Sequence, residues 1–375
     1  VFKTDAIEPF KLYKKFIGIN KESSIPTAIL ADSKDSLKYK ISNWIRLNLF
    51  IPDAKIGWKY YAVREGLKII KQEKPSIIFS SSPPPTVHLI AKELAKRTNI
   101  KWVSDFRDPW TDIHYYENQP RLNVANNIDK KYELEVLNKT DKITSISRLD
   151  IEEDFGKKVA INKCINLPNG FDEEDFSEID TKMTNKNIFT MLHLGAVNNE
   201  RNPVGLFKAI KNLKESGFID SAVFQLLFVG NVDESIKEDV DEYRINDLIK
   251  FINYLPHKES LKYTEEAFVL ILLVTSSIKN KRILPGKTFE YLRAQKYILC
   301  LGPRDGEVSR IIQELRAGNV VEYEDSEEIE KLIKQQFNAW HKDLADYIVD
   351  RESIQKYSRQ NLTKALAKIF NDLTE

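Results

Sequence analysis

At 375 residues the chain is too long for one hydrophobic core, so two domains are expected. Apolar residues make up 42% and charged residues 30%, the balance of a globular protein, and no apolar run reaches the roughly 20 residues that a membrane-spanning helix needs. The net charge of +1 hides an asymmetry: residues 1–101 hold 19 Lys and Arg against 9 Asp and Glu, whereas residues 173–375 hold 28 against 34. A basic first part suggests an anionic partner such as a membrane surface or a lipid phosphate, with lysines that merely solvate helices as the plain alternative. Nucleic acid fits poorly, because the basic stretch lacks the interleaved aromatics of nucleic-acid modules. Cys164 and Cys300 lie in apolar runs and read as buried thiols of a reducing compartment, which places the protein in the cytoplasm or at the inner face of the membrane. Five scattered histidines (His88, His114, His193, His257 and His341) show no metal-ligand spacing, so no metal site is expected.

Strand-like and helix-like runs alternate along the chain. Residues 1 to 60 are the exception: no strand and Gly-rich turn open the chain, so both are expected to be missing. Ile77 to Ser80 reads as a buried strand, Thr86 to Arg97 as a helix, Ile100 to Ser104 as a strand, Ile128 to Leu137 as a helix. Lys142 to Ile146 and Cys164 to Leu167 are further strands, the latter stopped by Pro168-Asn169-Gly170. A polar stretch over Glu173 to Asn187 separates a second alternating set. Its strands are Phe189 to Leu194, Phe224 to Val229, Ile249 to Ile252, Val269 to Val274 and Tyr297 to Leu301. Its helices are Pro203 to Leu213, Ser235 to Tyr243, Lys258 to Ala267, one opened by Pro285, and Val308 to Leu315. This order predicts an α/β fold of two doubly wound domains with parallel sheets. The last 30 residues read as one amphipathic helix, with Ile354, Tyr357, Leu362, Leu366, Ile369 and Leu373 on helical spacing.

The stretch Pro285-Gly286-Lys287-Thr288-Phe289-Glu290-Tyr291-Leu292 lies between two of these strands. A proline in a first helical turn lacks the N–H that would go unsatisfied there, so Pro285 marks a helix start. A helix N-terminus at the carboxyl edge of a parallel sheet attracts anions. Lys287 adds a positive charge there, and Glu290, one turn on, offers a carboxylate to sugar hydroxyls. Together they suggest a nucleotide-sugar site, against the plain reading of a solvated Lys and Glu at a helix start.

In chain order, Ser81-Ser82-Pro83-Pro84-Pro85-Thr86, Asp105-Phe106-Arg107-Asp108-Pro109-Trp110, Asn169-Gly170-Phe171-Asp172, His193-Leu194-Gly195 and the Pro285–Leu292 stretch resemble the family 4 glycosyltransferases, which have the two-domain GT-B fold. Within that family the likeness is strongest to bacterial enzymes of capsule and surface-polysaccharide assembly, and it covers nearly the whole chain. It implies an acceptor-side Rossmann-like domain over 1–172, a nucleotide-sugar-binding one over 173–345 facing it across a cleft, and a C-terminal helix over 346–375 that packs back toward the first.

The resemblance also implies roles. Arg201 and Lys287 match the basic pair that holds the donor diphosphate and would neutralise charge on it as it leaves. Gly195 permits close approach to phosphate, Thr288 sits beside Lys287, and Gly230 is expected near the nucleotide base. Glu290 matches the glutamate that contacts the ribose. Its usual companion eight residues earlier is replaced by Arg282, leaving sugar contacts to main-chain groups of Ser277 to Leu284. Arg107 and Asp108 take the place of a His-Asp pair beside donor sugar and acceptor. The Ser80–Thr86 loop offers hydroxyls and helix N–H groups to acceptor or phosphate, Gly170 resembles an interdomain hinge, and His193 is expected to pack beneath Gly195. The activity implied is retaining, metal-independent transfer of a hexose from a nucleoside-diphosphate donor to a glycan or lipid-linked hydroxyl acceptor, with no cofactor. A sugar-nucleotide epimerase of the same fold and a non-catalytic nucleotide-sugar-binding protein are the alternatives.

Overall fold

A computed structural model describes residues 1–7, 37–112, 119–177, 187–275, 281–342, 349 and 351–375. Outside them lie His114, main-chain groups of Ser277 to Asn280, most of the expected polar linker, and parts of the opening and C-terminal stretches discussed above. The chain divides into two compact units, Val1–Leu167 with Leu366–Glu375, and Pro168–Ala365.

The first unit begins its described helices with α1 (Leu37–Leu49) and α2 (Lys59–Glu73). Then follow β1 (Ile77–Ser82), α3 (Thr86–Thr98), β2 (Lys101–Phe106), α4 (Asn123–Lys139), β3 (Lys142–Ser145) and β4 (Cys164–Asn166). The four strands form one parallel sheet in the order β1-β2-β3-β4. Trp102, Val103 and Phe106 of β2 are fully buried, as a central parallel strand covered on both faces requires. Trp102 and Phe106 pack with Leu89, Val136, Leu137 and Phe155 in the core of this unit.

The second unit runs β5 (Phe189–Leu194), α5 (Val204–Glu215), β6 (Phe224–Val229), α6 (Glu234–Glu242), β7 (Ile249–Ile252), α7 (His257–Glu266) and β8 (Val269–Leu273). It continues with α8 (Lys287–Ala294), β9 (Tyr297–Leu301), α9 (Glu307–Glu314), β10 (Gly318–Val321) and α10 (Ser326–His341). All six strands are parallel, in the order β10-β9-β8-β5-β6-β7. This is the doubly wound order of a dinucleotide-binding fold, and its direction reverses between β5 and β8. Every residue of β5, β8 and β9 is buried, because helices cover both faces; two apolar clusters, one per face, hold the sheet.

The expected single C-terminal helix is broken. Helical turns over Arg351–Ile354 and Gln355–Tyr357 end at Ser358, which is extended, and α11 (Arg359–Thr374) follows. The break has a cause in backbone pairing: Phe171 donates its N–H to Tyr357 O and accepts from Arg359 N–H, a short parallel bridge that a continuous helix would forbid. Among the described residues no helix is long and apolar enough to cross a membrane.

Candidate functional site

The reversal between β5 and β8 locates the site in the second unit. These strands pair only over Met191↔Val269 and Leu192↔Leu270, so their carboxyl ends part beyond that point. His193, one residue further, bridges the gap with its Nδ1–H donating to Ile271 O at 2.9 Å. Burial, and the positive charges of Lys287 and Arg201, hold His193 well below its ordinary pKa, so it is neutral and its bare Nε2 has no hydrogen-bond partner. It is a packing residue under the Leu194–Gly195 turn and has no exposure for chemistry.

Helix α8 grips that turn from the other side. Lys287 Nζ donates to Leu194 O at 2.5 Å, and Tyr291, one turn on, accepts from Leu194 N–H at 2.8 Å. Gly195, at φ +105°, leaves room for the ammonium: a Cβ there would lie 2.7 Å from Lys287 Nζ. Burial first, and then the charge of Arg201, push the Lys287 ammonium down to about 8. Thr288 is fully buried and its Oγ1 is also without a partner. Buried polar atoms left unpaired mark places where a ligand or water completes a network.

Arg201 ends a short turn, Asn199–Arg201, and its Nε lies 3.4 Å from Thr275 Oγ1 just after β8. The turn is pinned to the loop after β6: Val197 and Val232 bridge, and Asn199 N–H donates to Asp233 at 3.1 Å. Gly230 (φ +140°) lies against Gly195, where its Cβ would come within 2.7 Å of the Gly195 carbonyl. Glu290, one helical turn from Lys287, accepts from His257 Nε2 at 2.9 Å. Gly195, Arg201, Gly230, Lys287 and Thr288 thus gather at the carboxyl edge of one sheet, and Glu290 extends the α8 face toward α7.

A sequence profile for glycosyl transferases group 1 matches residues 172–361, half of the chain. The chain belongs to this family. The match spans the whole switch-point site, so the group 1 assignment rests on the unit that carries Arg201, Lys287 and Glu290. No curated protein matches in sequence. Solved structures do match in fold: a sucrose-phosphate synthase from Thermosynechococcus elongatus (TM-score 0.61, 15% identity, 83% of this chain and 77% of that one). The Anabaena protein HepE in complex with UDP gives 0.60, 10%, 83% and 82%. A lipopolysaccharide outer core galactosyltransferase, WaaB, gives 0.57, 12%, 84% and 80%. At these identities the likeness establishes the fold, which is GT-B with two Rossmann-like units.

In this group 1 transferase the first unit presents Arg107 and Asp108 directly after β2, both exposed. Arg107 Nη1 lies 3.8 Å from Asp105, whose carboxylate is itself buried and held by Ser81 Oγ at 2.6 Å and Thr144 Oγ1 at 2.7 Å. The Ser80–Thr86 loop departs from expectation. Its hydroxyls face inward: the buried His88 ring joins Ser80 Oγ and Ser82 Oγ, both at 2.8 Å, and Ser81 serves Asp105. Burial lowers His88 to about 3, so this neutral ring is a permanent strut. The N-terminus of α3 is already occupied by a carboxylate, because Asp53 accepts from both Thr86 N–H and Thr86 Oγ1 at 2.8 Å. This loop is scaffold rather than an anion site.

Sequence reasoning missed the residues that brace the Arg107–Asp108 loop. Asp129 and Glu133, four apart on α4 and fully buried, accept from Trp110 Nε1 at 2.7 Å and Thr111 Oγ1 at 2.7 Å. Arg121 and Lys158 neutralise them. Acids on the buried face of a helix were the available signal, but only if that face was known.

Proposed function

We propose that this chain transfers a hexose from a nucleoside-diphosphate donor to a hydroxyl of a glycan or lipid-linked acceptor, with retention and without a divalent ion, in surface-polysaccharide or glycolipid assembly. The observation that carries the reading is the half-buried Lys287 ammonium at the start of α8, beside Arg201, at the switch point of the second sheet. Its Nζ donates to Leu194 O, no carboxylate among the described residues pairs with it, and a cation held in this way suits a diphosphate. Anabaena HepE, a protein of like fold, is in complex with UDP, which supports a nucleotide as this chain's ligand.

The acceptor oxygen forms a bond to the anomeric carbon as the bond from that carbon to the diphosphate breaks. The acceptor proton passes to the leaving phosphate oxygen, so no separate base is needed. Lys287 and Arg201 stabilise charge that grows on the diphosphate, in place of a metal. Glu290 takes the ribose hydroxyls, and Arg107 and Asp108 of the first unit serve sugar and acceptor.

The test is release of nucleoside diphosphate from a panel of nucleotide sugars, with EDTA present. Arg201→Ala is expected to lower kcat/KM at least about tenfold, and Asp108→Ala to lower turnover while nucleotide affinity is kept. Unchanged kcat/KM in Arg201→Ala and Glu290→Ala together would remove the site assignment. Loss of the donor without a glycosylated acceptor, with a second sugar nucleotide as product, would instead indicate an epimerase.

The acceptor side is proposed to work at an anionic membrane face. Helix α1 exposes Ile41, Trp44, Ile45 and Leu49 next to the basic residues Lys40 and Arg46. The protein is expected to co-sediment with vesicles rich in anionic lipid at low salt, and Trp44→Asp to weaken this. No sedimentation of the wild type at low salt would dismiss the membrane contact.

A further inference from the structure

We propose that His257 is a positioning residue of the nucleotide site: it fixes the Glu290 carboxylate in the orientation that reads the ribose. This rests on the reading of Glu290 as the ribose contact.

The two residues are 33 apart in sequence and belong to different βα units. His257 opens α7, just after β7, and Glu290 lies in the first turn of α8. His257 Nε2 is 2.9 Å from Glu290 Oε1. An ionised carboxylate only accepts, so Nε2 carries the proton and donates. The other ring nitrogen, Nδ1, faces Asp175 Oδ2 at 3.9 Å, in the short turn Glu173–Phe176. The imidazole therefore stands between two carboxylates, donating to one while the second lies beyond its far nitrogen.

The arrangement is one-sided in a useful way. His257 engages Oε1, so the second oxygen of Glu290 remains for a ribose hydroxyl. Glutamate has three side-chain torsions, and an unrestrained one must be ordered when the nucleotide binds. A donor already in place removes part of that cost and sets the angle of the free oxygen. The histidine side chain is 51% exposed and the glutamate 23%, so the pair lies at the surface where a ligand can reach it and is not part of the core.

The experiment is calorimetric titration of the full chain. UDP, ADP and GDP are titrated first, and the tightest of the three is compared with its 2′,3′-dideoxy analogue. The wild type is expected to prefer the ribonucleotide by about 10- to 100-fold, the range of charge-assisted hydrogen bonds. In His257→Ala the preference is expected to shrink about fivefold or more, with the affinity for the dideoxy analogue unchanged. His257→Gln, whose amide can donate to the same oxygen, is expected to recover most of it. Glu290→Gln separates the failures. If it loses the preference while His257→Ala keeps it, the positioning role is wrong and the ribose reading stands. If it keeps the full preference, or if no nucleotide binds, both are wrong. An equal loss for both ligands in His257→Ala, with no recovery in His257→Gln, would make His257 merely structural and overturn the inference.

Discussion

Lys287→Met should produce a protein that is more stable than the wild type when empty and less stable when a nucleoside diphosphate is added. The folded chain holds this ammonium at about 8, chiefly by burial and then by the charge of Arg201. In the unfolded chain a lysine titrates near 10.4, so at pH 7 keeping Lys287 charged in its native place costs on the order of 3 kcal/mol. The bond from Nζ to Leu194 O returns part of that, about 1 kcal/mol. Methionine fills a similar volume without the charge, and a net gain of about 1–2 kcal/mol is expected. For a unit of this size that is a rise in Tm of about 2–4 °C per kcal/mol. Ligand reverses the order. Losing this half-buried cation from the proposed phosphate site should weaken nucleoside-diphosphate binding about 30- to 100-fold. The wild type at 100 times its Kd gains about 2.7 kcal/mol, whereas the variant, then at about 1–3 times its own Kd, gains only about 0.4–0.9, a shortfall of about 2 kcal/mol to set against its lead when empty. Paired thermal melts with and without ligand decide the matter. A variant less stable than wild type in both states would show that Lys287 is a structural group.

The same depressed pKa fixes a pH dependence whose sign can be stated. Lys287 is lowered on folding, so the unfolded chain binds more protons between about 8 and about 10.4. Its destabilising effect is therefore complete below pH 8 and is relieved as pH rises through that window. Ligand binding runs the other way. Above about pH 8 the free site carries a neutral amine and must take up a proton to hold a dianionic group. Affinity should then fall up to tenfold per pH unit, with proton uptake visible as a buffer-dependent heat. Lys287→Met should lose this slope, and affinity that stays level from pH 7 to 9 in the wild type would refute it.

How much of this was readable beforehand depended on the range of each interaction. Strands such as Val269–Leu273 and Tyr297–Leu301 are continuous apolar runs because both sheet faces are covered, so they stand out in any sequence. Strand β10 did not, because Gly318-Asn319-Val320-Val321 is short and half polar, and α10 after it was passed over with it. The Lys287–Glu290 spacing was legible as a helix face. What the face touches was not: Leu194 sits 93 residues from Lys287, and His257 sits 33 from Glu290. The Ser80–Thr86 loop misled for the same reason. Its hydroxyls looked available until the fold brought in Asp105, His88 and Asp53 to consume them. Local chemistry names candidates, and contacts made across the sheet decide which remain open to a ligand.

The glycines of the site give the second large effect. Gly230→Ala should cost about 3 kcal/mol of stability and most of the nucleotide affinity together. At φ +140° an alanine is strained before any neighbour is considered. The added Cβ would also stand 2.7 Å from both the carbonyl carbon and oxygen of Gly195, and backbone cannot swing away as a side chain end can. Gly195 is in turn fixed by its N–H to Val229 O at 2.7 Å, so strain placed there reaches the turn that carries Leu194 O, the acceptor for Lys287. Displacing that carbonyl moves the ammonium, which is why the stability loss and the affinity loss should appear in one variant. Gly217 supplies the control. It also has positive φ, +70°, but a Cβ there meets nothing within 4 Å. Gly217→Ala should therefore cost only about 1 kcal/mol and leave nucleotide binding alone. Denaturant unfolding and titration of both variants read the difference directly. If Gly230→Ala costs no more than Gly217→Ala, the contact between Gly230 and Gly195 is not what holds the Leu194–Gly195 turn in place.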